Sequence, residues 1–132
     1  IFNGTIAGAC TVVADSPGTL AVNGTTTILA STEAGGAAGA ATVTASASTF
    51  EVTVAAPTNF DTAPAGSDTN TTFATPYDAS GATTAAGVTG STATALGTGV
   101  TTVAVNASAT KASGIYESGS YSLTTVVRCA AQ

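Results

Sequence analysis

The chain has 132 residues, a formal net charge of −5, no His, Trp or Met, and only two basic residues, Lys111 and Arg128. That length suits one domain with a real core. The residue types exclude a basic stripe for nucleic acid or anionic lipid and a Ser-His-Asp triad, and they remove the commonest ligand of zinc and copper. Charged residues make up 7% of the chain, against roughly 25% in ordinary soluble domains. Solubility therefore rests on Thr, Ser, Asn and Gly, a composition that suits a secreted surface or filament protein better than a cytosolic enzyme. No stretch approaches the roughly 18 apolar residues of a membrane span, so membrane insertion is not expected. The absence of an initiator Met points to a leader removed on secretion.

Along the chain, alternating Thr/Val runs are broken by Gly, Pro, Asn and Asp, the pattern of many short strands. CTVVAD (10–15) reads as a strand ended by Ser-Pro-Gly. GTLAVNG (18–24) and TTTILAS (25–31) read as a hairpin turning at Asn23-Gly24. AATVTAS (40–46) and STFEVTVAAP (48–57) are strands; in the second, Phe50, Val52 and Val54 share one face and Glu51 and Thr53 the other. Residues 59–72 read as a long loop. Residues 74–90 read as an edge strand with further loop. STATALG (91–97) and GVTTVAVNASA (99–109) resume the pattern, with Val103 and Val105 on one face, and 110–119 is a polar connection. GSYSLTTVVRCAA (119–131) is the clearest strand: Tyr121, Leu123, Thr125, Val127 and Cys129 share a face, and Arg128 points away. No run has helical periodicity with caps. Eight or so short strands predict an all-β antiparallel sandwich.

Few residues offer chemistry. The seven acids are scattered, and no two share a predicted strand face, so paired-carboxylate catalysis is not expected. Asp61, Asp68 and Asn70 are the nearest approach to a cation loop, but their spacing matches no calcium loop, and a solvated loop is the expectation. No catalytic residue, metal site or cofactor is predicted. Sequons occur at Asn3, Asn23, Asn70 and Asn106, with use set by the organism. Lys111, in a polar connection, reads as an exposed lysine rather than a crosslinking one. Cys10 and Cys129 have neither redox nor zinc spacing. In an oxidising compartment they pair and close nearly the whole chain into a loop; otherwise they are two unrelated buried thiols.

In IFNGTIAGAC, Phe2, Gly4, Ile6, Gly8 and Cys10 fall on one face. One reading is an ordinary first strand pairing within its own chain. The other is a strand that completes a neighbouring copy, Phe2 and Ile6 filling pockets and the glycines allowing close approach. The runs FNGTIAGACTV, GTLAVNGTTTILAST, AGGAAGAATVTAS, VTVAAPT and GSYSLTTVVRC resemble the secreted subunits of archaic chaperone–usher pili, the spore-coat-U-like family, in its Ala/Thr-rich form. The resemblance covers both ends well and the middle poorly.

The resemblance implies an immunoglobulin-like sandwich lacking one strand, filled first by a periplasmic chaperone and then, at an outer-membrane usher, by the N-terminal extension of the next identical subunit. Residues 1–8 become the extension, with Phe2, Gly4, Ile6 and Gly8 as the inserting face. Residues 9–132 become the pilin domain, with Tyr121, Leu123, Val127, Val103 and Val105 lining the acceptor groove and core. Cys129 departs from the family pattern. The implied product is an extracellular adhesive or biofilm filament. Two rivals are a tip adhesin or carbohydrate-binding sandwich, for which Phe60, Phe73, Tyr77 and Tyr116 look too dispersed to form a platform, and a self-contained surface-layer or matrix protein.

Overall fold

A computed structural model describes residues 1–132. The chain forms twelve strands and no helix: β1 (Cys10–Ser16), β2 (Ala21–Val22), β3 (Ile28–Ala30), β4 (Gly39–Ala45), β5 (Phe50–Ala55), β6 (Thr71–Ala74), β7 (Tyr77–Gly81), β8 (Ala85–Val88), β9 (Thr94–Ala95), β10 (Gly99–Val105), β11 (Ser108–Lys111) and β12 (Val126–Ala131). They pair into sheets of order β1-β4-β10-β7-β8, β2-β3-β11-β6 and β12-β5-β9, and every pairing is antiparallel. The expected all-β antiparallel sandwich is the fold.

Alternation builds the main core. Val43 and Ala45 on β4 and Val103 and Val105 on β10 face Val52 and Val54 on β5, with Tyr77 and Leu96 closing the cluster. Tyr77 lies fully inside, and its hydroxyl crosses the sandwich, donating to the Thr92 carbonyl at 2.6 Å and lying 2.7 Å from the Thr94 hydroxyl. A buried phenol is tolerated only when its hydroxyl finds partners, so this side chain sets the spacing of the two layers. A second core gathers Leu29, Phe60, Ala109 and Tyr116, covering the β2-β3-β11-β6 sheet with loops instead of strands.

Several elements differ from expectation for identifiable reasons. The hairpin at Asn23 is not a tight two-residue turn. The Asn23 side-chain oxygen accepts the Thr27 and Ile28 amides at 2.9 and 3.1 Å, holding a five-residue loop with Thr26 at φ 59°. Residues 74–90 form the β7–β8 hairpin, with β7 inside its sheet between β10 and β8; its buried face is Tyr77 and Ala79, too small a signal amid Ala, Ser and Gly. Within 91–97 only Thr94–Ala95 forms a strand, although the Ser91 and Leu96 amides also donate to the Val54 and Phe50 carbonyls of β5. The 99–109 run splits into β10 and β11, which lie in different sheets. The neighbouring 71–81 segment breaks at the same level, where Pro76 lacks an N–H for the ladder and its carbonyl accepts the Asn106 amide at 3.0 Å. The final strand is shorter than predicted. Its ladder starts at Val126, opposite Ala55. Pro57 follows on the partner strand and cannot donate, leaving only an isolated bridge between Thr62 and Ser122.

Cys10 and Cys129 form a disulfide with Cα atoms 6.2 Å apart. It joins β1, an edge of the first sheet, to β12, an edge of the third. This bond suits an oxidising compartment, extracellular or periplasmic. No helix is long and apolar enough to cross a membrane. Because the bond closes a loop across 119 positions, replacing both cysteines by Ala is expected to lower stability by roughly 4–5 kcal/mol on the chain-entropy account. Urea unfolding of the pair variant checks this; an unmoved free energy contradicts it.

Candidate strand-accepting groove

The tethered edges, β1 and β12, each have a hydrogen-bonded neighbour on one side only. On the same side of the disulfide, with opposed chain senses, residues 12–20 lead away from it and 119–127 lead toward it, and a trough opens between them. Its first lobe, about 530 Å³, lies between Val12 and Val127 and reaches Ala41, Val105 and Leu123. A middle lobe of about 200 Å³ shares Gly18, Gly39, Val105, Leu123 and Thr125 with it. A third, about 510 Å³, shares Leu20 and Tyr121 with the middle one and is floored by Leu29 and Tyr116. The shared walls make one continuous groove whose floor touches both cores.

Local sequence explains both walls. Pro17 ends β1, and Gly18 lets the chain turn against the next layer, because a Cβ there would sit 3.0 Å from the Ala37 carbonyl oxygen and the Gly39 nitrogen. On the other wall, residues 121–130 alternate half-buried and exposed without a break. Leu123, Thr124 and Thr125 nevertheless join no strand or bridge. Extended chain with one side packed and its backbone groups unpaired is a sheet edge open to an added strand.

The predicted site residues divide cleanly. Val127 packs against the main core and Tyr121 and Leu123 against the second; Val105 reaches the groove, whereas Val103 is fully buried and lines none of the lobes. Phe2, Gly4, Ile6 and Gly8 lie outside any strand. Phe2 is 104% and Ile6 90% exposed. The segment makes its first contacts near the domain: Gly8 approaches Phe50, and the Ala9 amide donates to the Ser46 hydroxyl at 2.7 Å. Sequence reading missed Val12, Leu20, Leu29 and Tyr116. Val12 continues the Cys10 alternation and could have been found. Tyr116 carries no periodicity, only the oddity of an aromatic in a polar connection.

Other candidates resolve differently. Phe60, Phe73, Tyr116 and Tyr121 are not dispersed; they stack edge-to-face with centroids 5.0 to 5.9 Å apart. They form the second core, while Tyr77 sits in the main one. Asp61, Asp68 and Asn70 go separate ways. Asp61 accepts from Thr124, Asp68 from the Phe60 amide, and Asn70 donates to Ser113. Lys111 is half-buried rather than exposed, donating to the Thr69 carbonyl at 3.0 Å with its Nζ 5.4 Å from the centre of the Tyr116 ring. No protein-family model, curated protein or solved structure matches the chain.

Burial raises the Tyr116 pKa above the ordinary 10.0; the Thr71 hydroxyl opposes the shift, and Tyr121 and Asp68 add to it. The folded chain therefore holds this proton more tightly than the unfolded one. The associated stability is complete below the unfolded value and is lost as pH rises through the folded value. Urea midpoints are expected to fall above pH 10.0, and Tyr116→Phe should lose less over the same rise. An equal loss in both proteins contradicts the assignment.

Proposed function

We propose that the chain is a structural subunit of an extracellular filament, a pilin in which residues 1–8 of one copy fill the groove between β1 and residues 119–127 of the next. The observation that carries the reading is the coexistence, in one chain, of an open groove between two unpaired edges and a detached segment with an apolar alternating face. The segment contributes a row of backbone donors and acceptors and two large side chains. Phe2 and Ile6 are four residues apart, roughly 13 Å when extended, so they reach separate lobes of the groove. Moving each from water into such a lobe is worth roughly 1.5–3 kcal/mol. Gly4, between them, brings no side chain to the constriction at the middle lobe.

The low charge supports the same reading. A free subunit with an open apolar groove and two bare edges is prone to association; a polymer in which every groove is filled is not. During assembly, a periplasmic chaperone protects the groove before an outer-membrane usher exchanges it for the next subunit. The role is assembly and surface adhesion, not catalysis. Phe60 and Tyr116 are buried in the second core with Phe73 and Tyr121 packed against it, which favours a filament subunit over an adhesin tip.

A chain lacking residues 1–8 is expected to form no polymer yet to bind a peptide of residues 1–9 and gain thermal stability from it. Replacing Phe2 and Ile6 by Asp in the peptide is expected to abolish both effects. Normal polymerisation of the deleted chain refutes the reading.

A further inference from the structure

The chain contains two Asn-Gly pairs in opposite environments. Asn23-Gly24 is locked: the Asn23 oxygen accepts the Thr27 and Ile28 amides, and its nitrogen donates to the Thr25 and Thr27 hydroxyls at 3.1 and 3.2 Å. Asn3-Gly4 is free. Asn3 is exposed, makes no hydrogen bond, and lies in a segment outside any strand; the Cβ positions of Gly4 and Gly24 are equally open, so the contrast rests on how each asparagine is held.

That contrast has a chemical consequence. The amide nitrogen following an Asn, once deprotonated, can attack the side-chain carbonyl carbon. A five-membered imide forms and the side-chain nitrogen leaves as ammonia. Water then opens the ring at either carbonyl, giving Asp or an isoaspartyl linkage, so the balance is amide plus water to acid plus ammonia. Ring closure needs backbone freedom and an unhindered nitrogen, and a following Gly supplies both. Asn3 has that freedom; Asn23 must first break the hydrogen bonds that hold its oxygen.

We propose that Asn3-Gly4 is a self-modification site of the unassembled chain, and that its conversion retires the segment as a strand. The isoaspartyl product carries the main chain through the former side chain and inserts an extra methylene. Residues on either side then fall out of the two-residue alternation, so Phe2 and Ile6 no longer share a face. A new carboxylate also stands where a neutral amide stood. This second clause rests on the proposed strand exchange: insertion into a neighbour immobilises the segment and protects it, so the reaction limits how long a free subunit stays competent.

The test incubates the oxidised full-length chain in mildly alkaline buffer, locates the mass gain by fragmenting the intact chain, and labels isoaspartate with an isoaspartyl methyltransferase. Conversion at Asn3 is expected to exceed that at Asn23 by at least about tenfold, the protection that breaking two hydrogen bonds imposes. In the reduced, denatured chain the two sites should react at similar rates. Gly4→Ala, for which there is open space, should slow Asn3 alone. Equal rates in the folded chain, or an Asn3 that stays intact, overturn the site. Polymerisation is then compared between fresh and converted chains. Loss only in the converted chain supports the second clause, and equal polymerisation overturns it. A fresh chain that fails to polymerise overturns strand exchange, and the second clause with it, while the rate comparison still decides the site.

Discussion

The structure turns on two β-strand edges that are held side by side but not paired to each other. Residue 10 of β1 is bonded to residue 129 of β12, yet beyond that bond a trough with an apolar floor separates the two segments. Each edge has satisfied its hydrogen bonds on one side through β4 or β5 and left the other bare. A backbone group without a partner is costly once water is excluded. The main core ends at Val105 and the second begins at Leu29 and Tyr116, and both are exposed to the same trough. One additional strand laid there would close both cores and both edges at once.

The interior is built with little to spare. Its large side chains are few, and Tyr77 alone spans the layers, tied to Thr92 and Thr94 across the sandwich. Two buried hydroxyls, those of Thr75 and Thr101, have no partner. Both sit where small residues crowd the backbone, and Thr101 lines the main interlayer face among valines. A core made from Val, Ala and Thr buries less apolar area per residue than one made from Leu and Phe. The disulfide is therefore a larger fraction of the total stability here than in an ordinary domain.

Much of this was legible in the sequence where large side chains alternate. Phe50-Val52-Val54, Val103-Val105 and Tyr121-Leu123-Val127 all fall on the faces that alternation assigns, and the two cysteines meet. Legibility failed where alternation is carried by Ala, Ser and Gly, as in β7 and β8, because such residues mark neither face. It failed again at Asn106 and Pro76, where paired strands change sheets. That break depends on a ladder between segments distant in sequence and leaves no local trace. Residues 59–72 read as a long loop and 110–119 as a polar connection, although they carry Phe60 and Tyr116 into the second core. A single aromatic in a polar run has no period to reveal its burial. The groove itself combines two edges more than a hundred residues apart, so alternation marks Val12 on one wall and the last strand on the other but leaves no local trace of their meeting.

The central claim is that the groove is occupied by a neighbouring copy. Surface material from the source cell, run on a denaturing gel without reductant, decides it when loaded both unheated and boiled. Strand exchange predicts a high-mass ladder in the unheated lane that collapses on boiling to the 12.4 kDa chain, because strands shared between subunits separate only across a high unfolding barrier. A 12.4 kDa band in both lanes would contradict the account, leaving a self-contained sandwich whose groove is filled by something other than its own kind.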